Sequence, residues 1–280
     1  MSKSNRSEER LQIMSVRVFK VDAFTNTPYS GNPAAVCYLE APATDEWMQS
    51  VASEMNLAET AFVLQESDGY RLRWFTPTVE VDICGHATLA SAHILWERKL
   101  ASPDYPIRFH TRSGVLTASK KSDAIELDFP ADPESAVELT EDLRIVLKES
   151  LGAAPLYVGK SQRDYLVEVA NERVLKEMVP NMSILAQVPM RGYIVTTKSD
   201  RPEFDFISRC FYPAVGIPED SVTGSAHCCL AIFWANRLGK SEMTGYQASS
   251  RGGTVGVKLV GDRVILIGQA VTMFVGELLA

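Results

Sequence analysis

Long apolar runs are absent. Nowhere does the chain hold an uncharged stretch of about 18 residues, so no segment reads as a membrane-spanning helix. Runs of lysine and arginine that could neutralise a row of phosphates are missing too, and the net charge is -7, so nucleic acid is not an expected partner. The five cysteines (Cys37, Cys84, Cys210, Cys228, Cys229) are odd in number and show no Cys-x-x-Cys spacing. That excludes a disulfide framework and gives no zinc-site signature, leaving free thiols and no metal as the expectation. The polar start, MSKSNRSEERLQIM, lacks the apolar core of a secretory signal, and a cytoplasmic location is expected.

What the chain does have is the composition of an ordinary globular protein. Of its 280 residues 46% are hydrophobic and 22% charged, enough for a sizeable core and for two domains of about 130 residues each. Residues 1–13 read as a disordered extension, because alternation begins only at Val16, just after a second methionine, Met14, a possible translation start. Periodicity predicts strands near 16–23 and 34–39, a helix near 45–54 capped by Thr44, and strands near 60–65 and 70–75. A longer helix near 86–99 and three strands over 107–129 follow. The acidic, proline-bearing FPADPESAVELTEDL reads as a linker at roughly 129–139.

Laying the second part of the chain on the first exposes a repeat. Arg73-Trp-Phe-Thr-Pro-Thr-Val79 matches Arg209-Cys-Phe-Tyr-Pro-Ala-Val215, and Arg112-Ser-Gly114 matches Arg251-Gly-Gly253. Between these blocks, after a two-residue insertion, Asp82–Leu100 lies on Asp220–Leu238 without a gap, sharing the Asp, the Trp and the last Leu. The pattern predicts an α+β fold of two pseudo-symmetric duplicated domains, 14–129 and 130–280, each a mostly antiparallel sheet wrapped round a central helix. ATLASAHILW and SAHCCLAIFW carry apolar residues on most faces, as enclosed helices must. Trp96 and Trp234 are expected in the core, and the last strand could pack on the first half.

Both helices open on small residues, Cys84-Gly85-His86 and Thr223-Gly224-Ser225. Exposed N–H groups and the positive dipole end suit such termini to anions, and facing halves would aim two of them at one cleft. His86 could donate to a substrate carboxylate or relay a proton, whereas His93, His110 and His227 read as structural. Asp220 has an internal counterpart in Asp82, so a shared role in satisfying turn amides stays open beside catalysis. Ser30-Gly31-Asn32-Pro33 is a turn with Asn32 and Pro33 placed like a helix cap, a binding candidate or a plain loop. Glu59 heads an apolar strand; it is either an exposed strand-end residue or a base whose pKa rises in a desolvated cleft.

VRVFKVDAFTNTPYSGNPAAV, NLAETAFV, RWFTPTVEVDICGHATL, PEDSVTGSAH and SSRGG together resemble, in order, the PhzF-like phenazine-biosynthesis isomerases, a family similar in fold to diaminopimelate epimerase. The resemblance implies a cleft active site, no cofactor or metal, a small carboxylate-bearing substrate and a homodimer. It places the catalytic glutamate on Glu59 in NLAET, with His86 and Asp220 as further catalytic residues and Gly85 and Ser225 on the substrate, where Gly224, opening the second helix, is a further binding candidate. The implied reaction resembles that of trans-2,3-dihydro-3-hydroxyanthranilate isomerase, a proton transfer that shifts double bonds without redox change. Cys84 stands where the epimerase relatives carry one of two thiols, so a racemase or epimerase is the alternative. Its counterpart in the gap-free alignment is Val222, which leaves the pair incomplete. A non-enzymatic small-acid-binding protein would keep the helix termini without needing Glu59.

Overall fold

The computed structural model describes residues 15–187 and 190–279; the expected N-terminal extension and the Met14 start lie outside the described residues. The first half runs β1 (Ser15–Ala23), β2 (Asn32–Leu39), α1 (Asp45–Met55), β3 (Glu59–Glu66), β4 (Gly69–Phe75), β5 (Glu80–Val81), α2 (Gly85–Glu97), β6 (Ile107–Thr111), β7 (Gly114–Lys121) and β8 (Ala124–Pro130). The second runs β9 (Ser135–Ala136), α3 (Glu141–Leu151), β10 (Tyr157–Lys160), β11 (Asp164–Glu168), α4 (Glu172–Glu177), α5 (Met182–Leu185), β12 (Gly192–Lys198), β13 (Phe206–Tyr212) and β14 (Ile217–Asp220). It continues through α6 (Gly224–Leu238), β15 (Glu242–Gln247), β16 (Gly253–Val260), β17 (Arg263–Gly268) and β18 (Ala270–Leu279).

The two halves repeat one pairing scheme. In the first, β2 lies parallel to β3, β3 antiparallel to β4, β4 parallel to β6, and β6, β7 and β8 form an antiparallel meander. In the second, β11, β12, β13, β15, β16 and β17 follow in the same order with the same directions. β8 pairs with β17 to join the halves, and the last strand, β18, returns to pair with β1. This is the two-domain pseudo-symmetric α+β architecture, with α2 and α6 as the central helices.

Both central helices form from small and apolar residues that can be buried on nearly every side. α2 is buried from Gly85 to Ser91 and at Ala92, Ile94, Leu95 and Trp96, and α6 likewise from Gly224 to Ala231 and at Phe233 and Trp234. Each fully buried Leu, Ile or Phe contributes roughly 1.5–3 kcal/mol of transfer free energy, which is what holds the sheets closed round them. Both tryptophans are core residues. Trp234 Nε1 donates to Thr196 Oγ1 at 3.0 Å, and Trp96 Nε1 to the Ser102 carbonyl at 3.3 Å. All five cysteines are buried free thiols.

The ladders correct the repeat's register by one residue. Trp74 faces Val81 across β4 and β5, and Cys210, the match of Trp74, faces Asp220 across β13 and β14. Arg73 forks onto Glu80 as Arg209 forks onto Glu219, at 2.6–2.9 Å in all four contacts. Three residues, not two, are therefore inserted after the matched strand. The new offset holds at the starts of the two central helices and again from the Arg251-Gly-Gly253 block onward, while β15 sits three residues earlier against β13 than that offset gives. Asp220 corresponds to Val81 rather than to Asp82, and Cys84 to Thr223 rather than to Val222. The shared Asp and Trp that favoured the other register are coincidences of neighbouring positions, so Asp220 has no symmetric twin.

Candidate active site

The central helices meet at their N-termini. A methyl group built on Gly85 would stand 2.9 Å from the Cα of Gly224, and the converse holds equally, so only glycine lets the two backbones touch. Neither helix has a side-chain cap: Cys84 and Thr223 hold the capping positions without bonding the first-turn amides, although Thr44 and Thr140 cap the peripheral α1 and α3. First-turn N–H groups find no acceptor within their own helix, and an uncapped helix start is a natural place for an anion. The two starts open into a cavity of about 390 Å³ between the halves.

The first half contributes Glu59, Cys84, Gly85 and His86 to this cavity, and the second contributes Asp220, Thr223, Gly224 and Ser225. Glu59, the first residue of β3, is brought to the cleft because β3 pairs with β2 on one side and β4 on the other, fixing its end beside the start of α2. Its Oε2 lies 3.1 Å from His86 Nε2 but out of line for a hydrogen bond, so that oxygen is buried without a donor. Burial works against charge on His86. The acidic neighbours Cys84 and Glu59 outweigh it and raise the pKa well above the imidazole range. Cys84 is itself pushed up, by burial first and then by the charge of Glu59, and so stays protonated; Glu59 is the partner that counts.

Asp220 is fixed on the other side. Its Oδ1 accepts from Asn32 Nδ2 at 2.7 Å and its Oδ2 from the Thr223 hydroxyl at 2.6 Å. The same Asn32 nitrogen reaches the Val222 carbonyl at 2.8 Å and stands 3.1 Å from His86 Nδ1, tying the two halves together under the site. Burial raises the Asp220 pKa and Glu59 adds to it, against the opposing pull of His86, Thr223 and Asn32. His86 and Asp220 are thus both held toward their protonated forms, beside the Glu59 carboxylate, in a space shielded from water.

The turn at Ser30 and Gly31 lies elsewhere. Gly31, at φ +68, donates its N–H to the Gly252 carbonyl at 2.7 Å, and Arg251 donates to the Gly31 and Ser30 carbonyls at 2.8 and 3.0 Å. Ser30 lines a separate cavity of about 540 Å³ beside Arg251, so the turn is a brace between the halves. Asn32 is fully buried and does not line the cleft; it holds Asp220 in place. The other three histidines are structural: His93 Nε2 bonds Thr272 Oγ1, His110 donates to the Asp68 carbonyl, and His227 donates to the Thr223 carbonyl.

Arg163, Arg191 and Tyr212 also line the cleft, and the sequence reading missed them. Arg191 forks onto Asp164 and donates to Ser225 Oγ at 3.1 Å. A signal for Tyr212 was present in the repeat, where FYP replaces FTP; none was available for Arg191, which lies in an unmatched stretch. Among the described residues one group has the spacing of a metal site, Glu59, Cys84 and His86, whose donor atoms lie within 4.8 Å of one another. A thiol, an imidazole and a carboxylate would suit zinc. Thr223, at the place of a second thiol, carries a hydroxyl committed to Asp220, so the two-thiol arrangement of an epimerase is not built here.

Comparison with known proteins agrees with this architecture. The family profile described as "Phenazine biosynthesis-like protein" matches residues 21–276. An uncharacterized isomerase of Halalkalibacterium halodurans is 56% identical over 267 residues, covering 95% of this chain and 100% of that protein. The crystal structure of a PhzF-family phenazine biosynthesis protein from Enterococcus faecalis superposes with a TM-score of 0.88 at 36% identity, covering 95% of this chain and 99% of that one. A hydroxyproline epimerase from Agrobacterium vitis, at 11% identity and a TM-score of 0.61 over 96% of this chain and 93% of its own, shares the fold.

Proposed function

The chain belongs to the PhzC-PhzF family of phenazine biosynthesis-like proteins, and from that premise we propose that it is a cofactor-independent isomerase of a small carboxylate-bearing metabolite. The observation that carries the reading is Glu59, with an undonated carboxylate oxygen facing His86 in the cavity where two uncapped helices begin.

The substrate carboxylate binds where the first turns of α2 and α6 meet, on the side of Ser225, which is a further donor. Glu59 takes a proton from a carbon of the bound acid; the C–H electron pair moves into the adjoining double-bond system, and its negative charge is drawn toward the helix termini and His86. Glu59 then returns the proton to another carbon. A double bond has moved, no electrons are gained or lost overall, and the base is restored. His86 holds the charge of the carboxylate while Glu59 is ionised, and Asp220, through Asn32 and Thr223, fixes the second-half wall. That relatives bear the name isomerase supports the reaction class; the reaction of trans-2,3-dihydro-3-hydroxyanthranilate isomerase is the template.

The test is proton–deuterium exchange across a panel of unsaturated small acids in heavy water, read by NMR. The wild type should exchange a carbon-bound proton in at least one of them, and Glu59→Gln should lower that rate by at least about 10²-fold while leaving ligand affinity in place. Exchange at a near-normal rate in the variant would remove Glu59 as the base. If no acid exchanges while acids still bind both forms equally, the binding-protein reading replaces the enzyme.

A further inference from the structure

Tyr212 ends β13 with its side chain 3% exposed on the wall of the cleft, and its hydroxyl has no hydrogen-bond partner. A buried hydroxyl without a partner is costly, and a fold that only needed the ring would have used phenylalanine. The ring is placed with care. Gly192 leaves the space: a methyl there would collide with the Tyr212 ring and with the Phe211 carbonyl. The Arg191 guanidinium lies over the ring at 4.9 Å from its centre, and the same guanidinium reaches Ser225 at the start of α6. Because Arg191 donates to the Ser225 oxygen, the Ser225 proton is free for a ligand.

These positions also divide the cleft by charge. Glu59 and His86 occupy the first-half wall, while Arg163 and Arg191 lie on the second, each paired with an aspartate outside the cavity lining, Asp132 and Asp164. A carboxylate placed against Glu59 would be repelled and would block the base. The second-half wall also carries Asp220, but both its oxygens already accept from Asn32 and Thr223, and beside it the wall offers guanidinium, hydroxyl and helix amides together.

We propose that Tyr212 and Arg191 form, with Ser225 and the start of α6, the anchor for the substrate carboxylate, with the Tyr212 hydroxyl donating to a carboxylate oxygen, so that the ligand's unsaturated carbons point to Glu59. This rests on the isomerase reading for the identity of the reacting end, but not for the anchor itself. Burial first, with Cys210 and Asp164 adding to it against Arg191, holds the Tyr212 phenol well above its usual range, so it stays a donor at neutral pH.

Benzoate and its neutral isostere benzamide are the probes, with binding measured by calorimetry and stability by thermal unfolding. Tyr212→Phe should unfold at the same or a higher temperature than the wild type, since it loses an unsatisfied group, yet bind benzoate about tenfold more weakly, as expected for a lost hydrogen bond to a charged group. Arg191→Lys, which keeps a cation for Asp164, should also weaken benzoate, and both variants should narrow the preference for benzoate over benzamide. A lowered melting temperature in Tyr212→Phe would mean that the hydroxyl serves the fold, and an unchanged benzoate affinity would mean that it does not touch the carboxylate. Either result overturns the proposal, as does a wild type that ignores benzoate. Glu59→Gln separates the two ideas: it should abolish exchange and retain benzoate binding, so failure of the anchor leaves the base standing and the reverse.

Discussion

The two halves of the molecule share a scaffold and differ in almost every side chain that faces the cleft. Gly85 and Gly224 are kept, because the helices must touch there, and Val79 and Val215 are a second matched pair on the wall. Around them His86 answers to Ser225, Cys84 to Thr223, Val81 to Asp220 and Thr76 to Tyr212. Thr60 faces Phe75 as Tyr193 faces Phe211, which sets Glu59 opposite Gly192. One half holds the undonated carboxylate and the imidazole, the other the anion donors and the already engaged Asp220. Duplication supplied two equivalent helix termini at no cost in new architecture, and the division of labour arose in the residues between them. A free carboxylate on both walls would suit removal of a proton from one face and return to the other; here the second carboxyl, Asp220, is engaged through both oxygens, which suits removal and return by Glu59 alone.

The sharpest way to break that contrast is to move the base. Glu59→Gln combined with Gly192→Glu puts the carboxylate on the opposite wall, where the Tyr212 ring occupies the space, and exchange should remain at least about 10²-fold below wild type. Recovery of exchange would show the halves to be interchangeable. Next in size is the shared contact. Gly85→Ala and Gly224→Ala should each cost roughly 1–3 kcal/mol, because an added methyl meets backbone rather than a side chain that can move, and both should lower the melting temperature alike.

The pH dependence of stability should be lopsided as well. His86 and Asp220 both have folded pKa values raised above their unfolded ones. A group so shifted binds its proton more tightly in the folded state, so its contribution is complete below the unfolded value and is lost as pH rises through the folded one. Stability should therefore fall as pH climbs from about 4, the ordinary aspartate value, for Asp220 and from about 6.5 for His86. Asp220→Asn should remove the lower of these slopes in thermal melts taken across that range; an unchanged slope would assign it to other groups. The smallest effect is expected at Cys84→Ala, which should keep most of the exchange activity because Thr223 offers no second thiol. Loss of activity there, or racemisation of a pure amino acid by the wild type, would return the epimerase reading.

Much of this was legible from the chain. The alternation of VRVFKVDAF, the enclosed helices beginning at Gly85 and Gly224 and the matched blocks lead to the duplicated fold, because small-residue helices with apolar surroundings have few other ways to be buried. The register was harder. The identities of Asp82 with Asp220, Trp96 with Trp234 and Leu100 with Leu238 favoured the shifted alignment, and only the strand ladders, which fix neighbours in space, show the third inserted residue. Ser30 and Gly31 were drawn to the site by their turn chemistry, but a left-handed glycine is as useful in a brace as in a binding loop. Arg191 was invisible because its importance comes from where β12 begins relative to α6, a long-range relation with no local pattern.

The account stands or falls on where an acid sits. Crystals grown with benzoate give the direct measurement. The carboxylate should lie within hydrogen-bonding reach of the first-turn amides of α6 and of Ser225 and Tyr212, with the ring directed toward Glu59. Benzoate bound at the Arg251 cavity instead, with the α2 and α6 termini left without a ligand, would contradict the claim that the two halves build one asymmetric site.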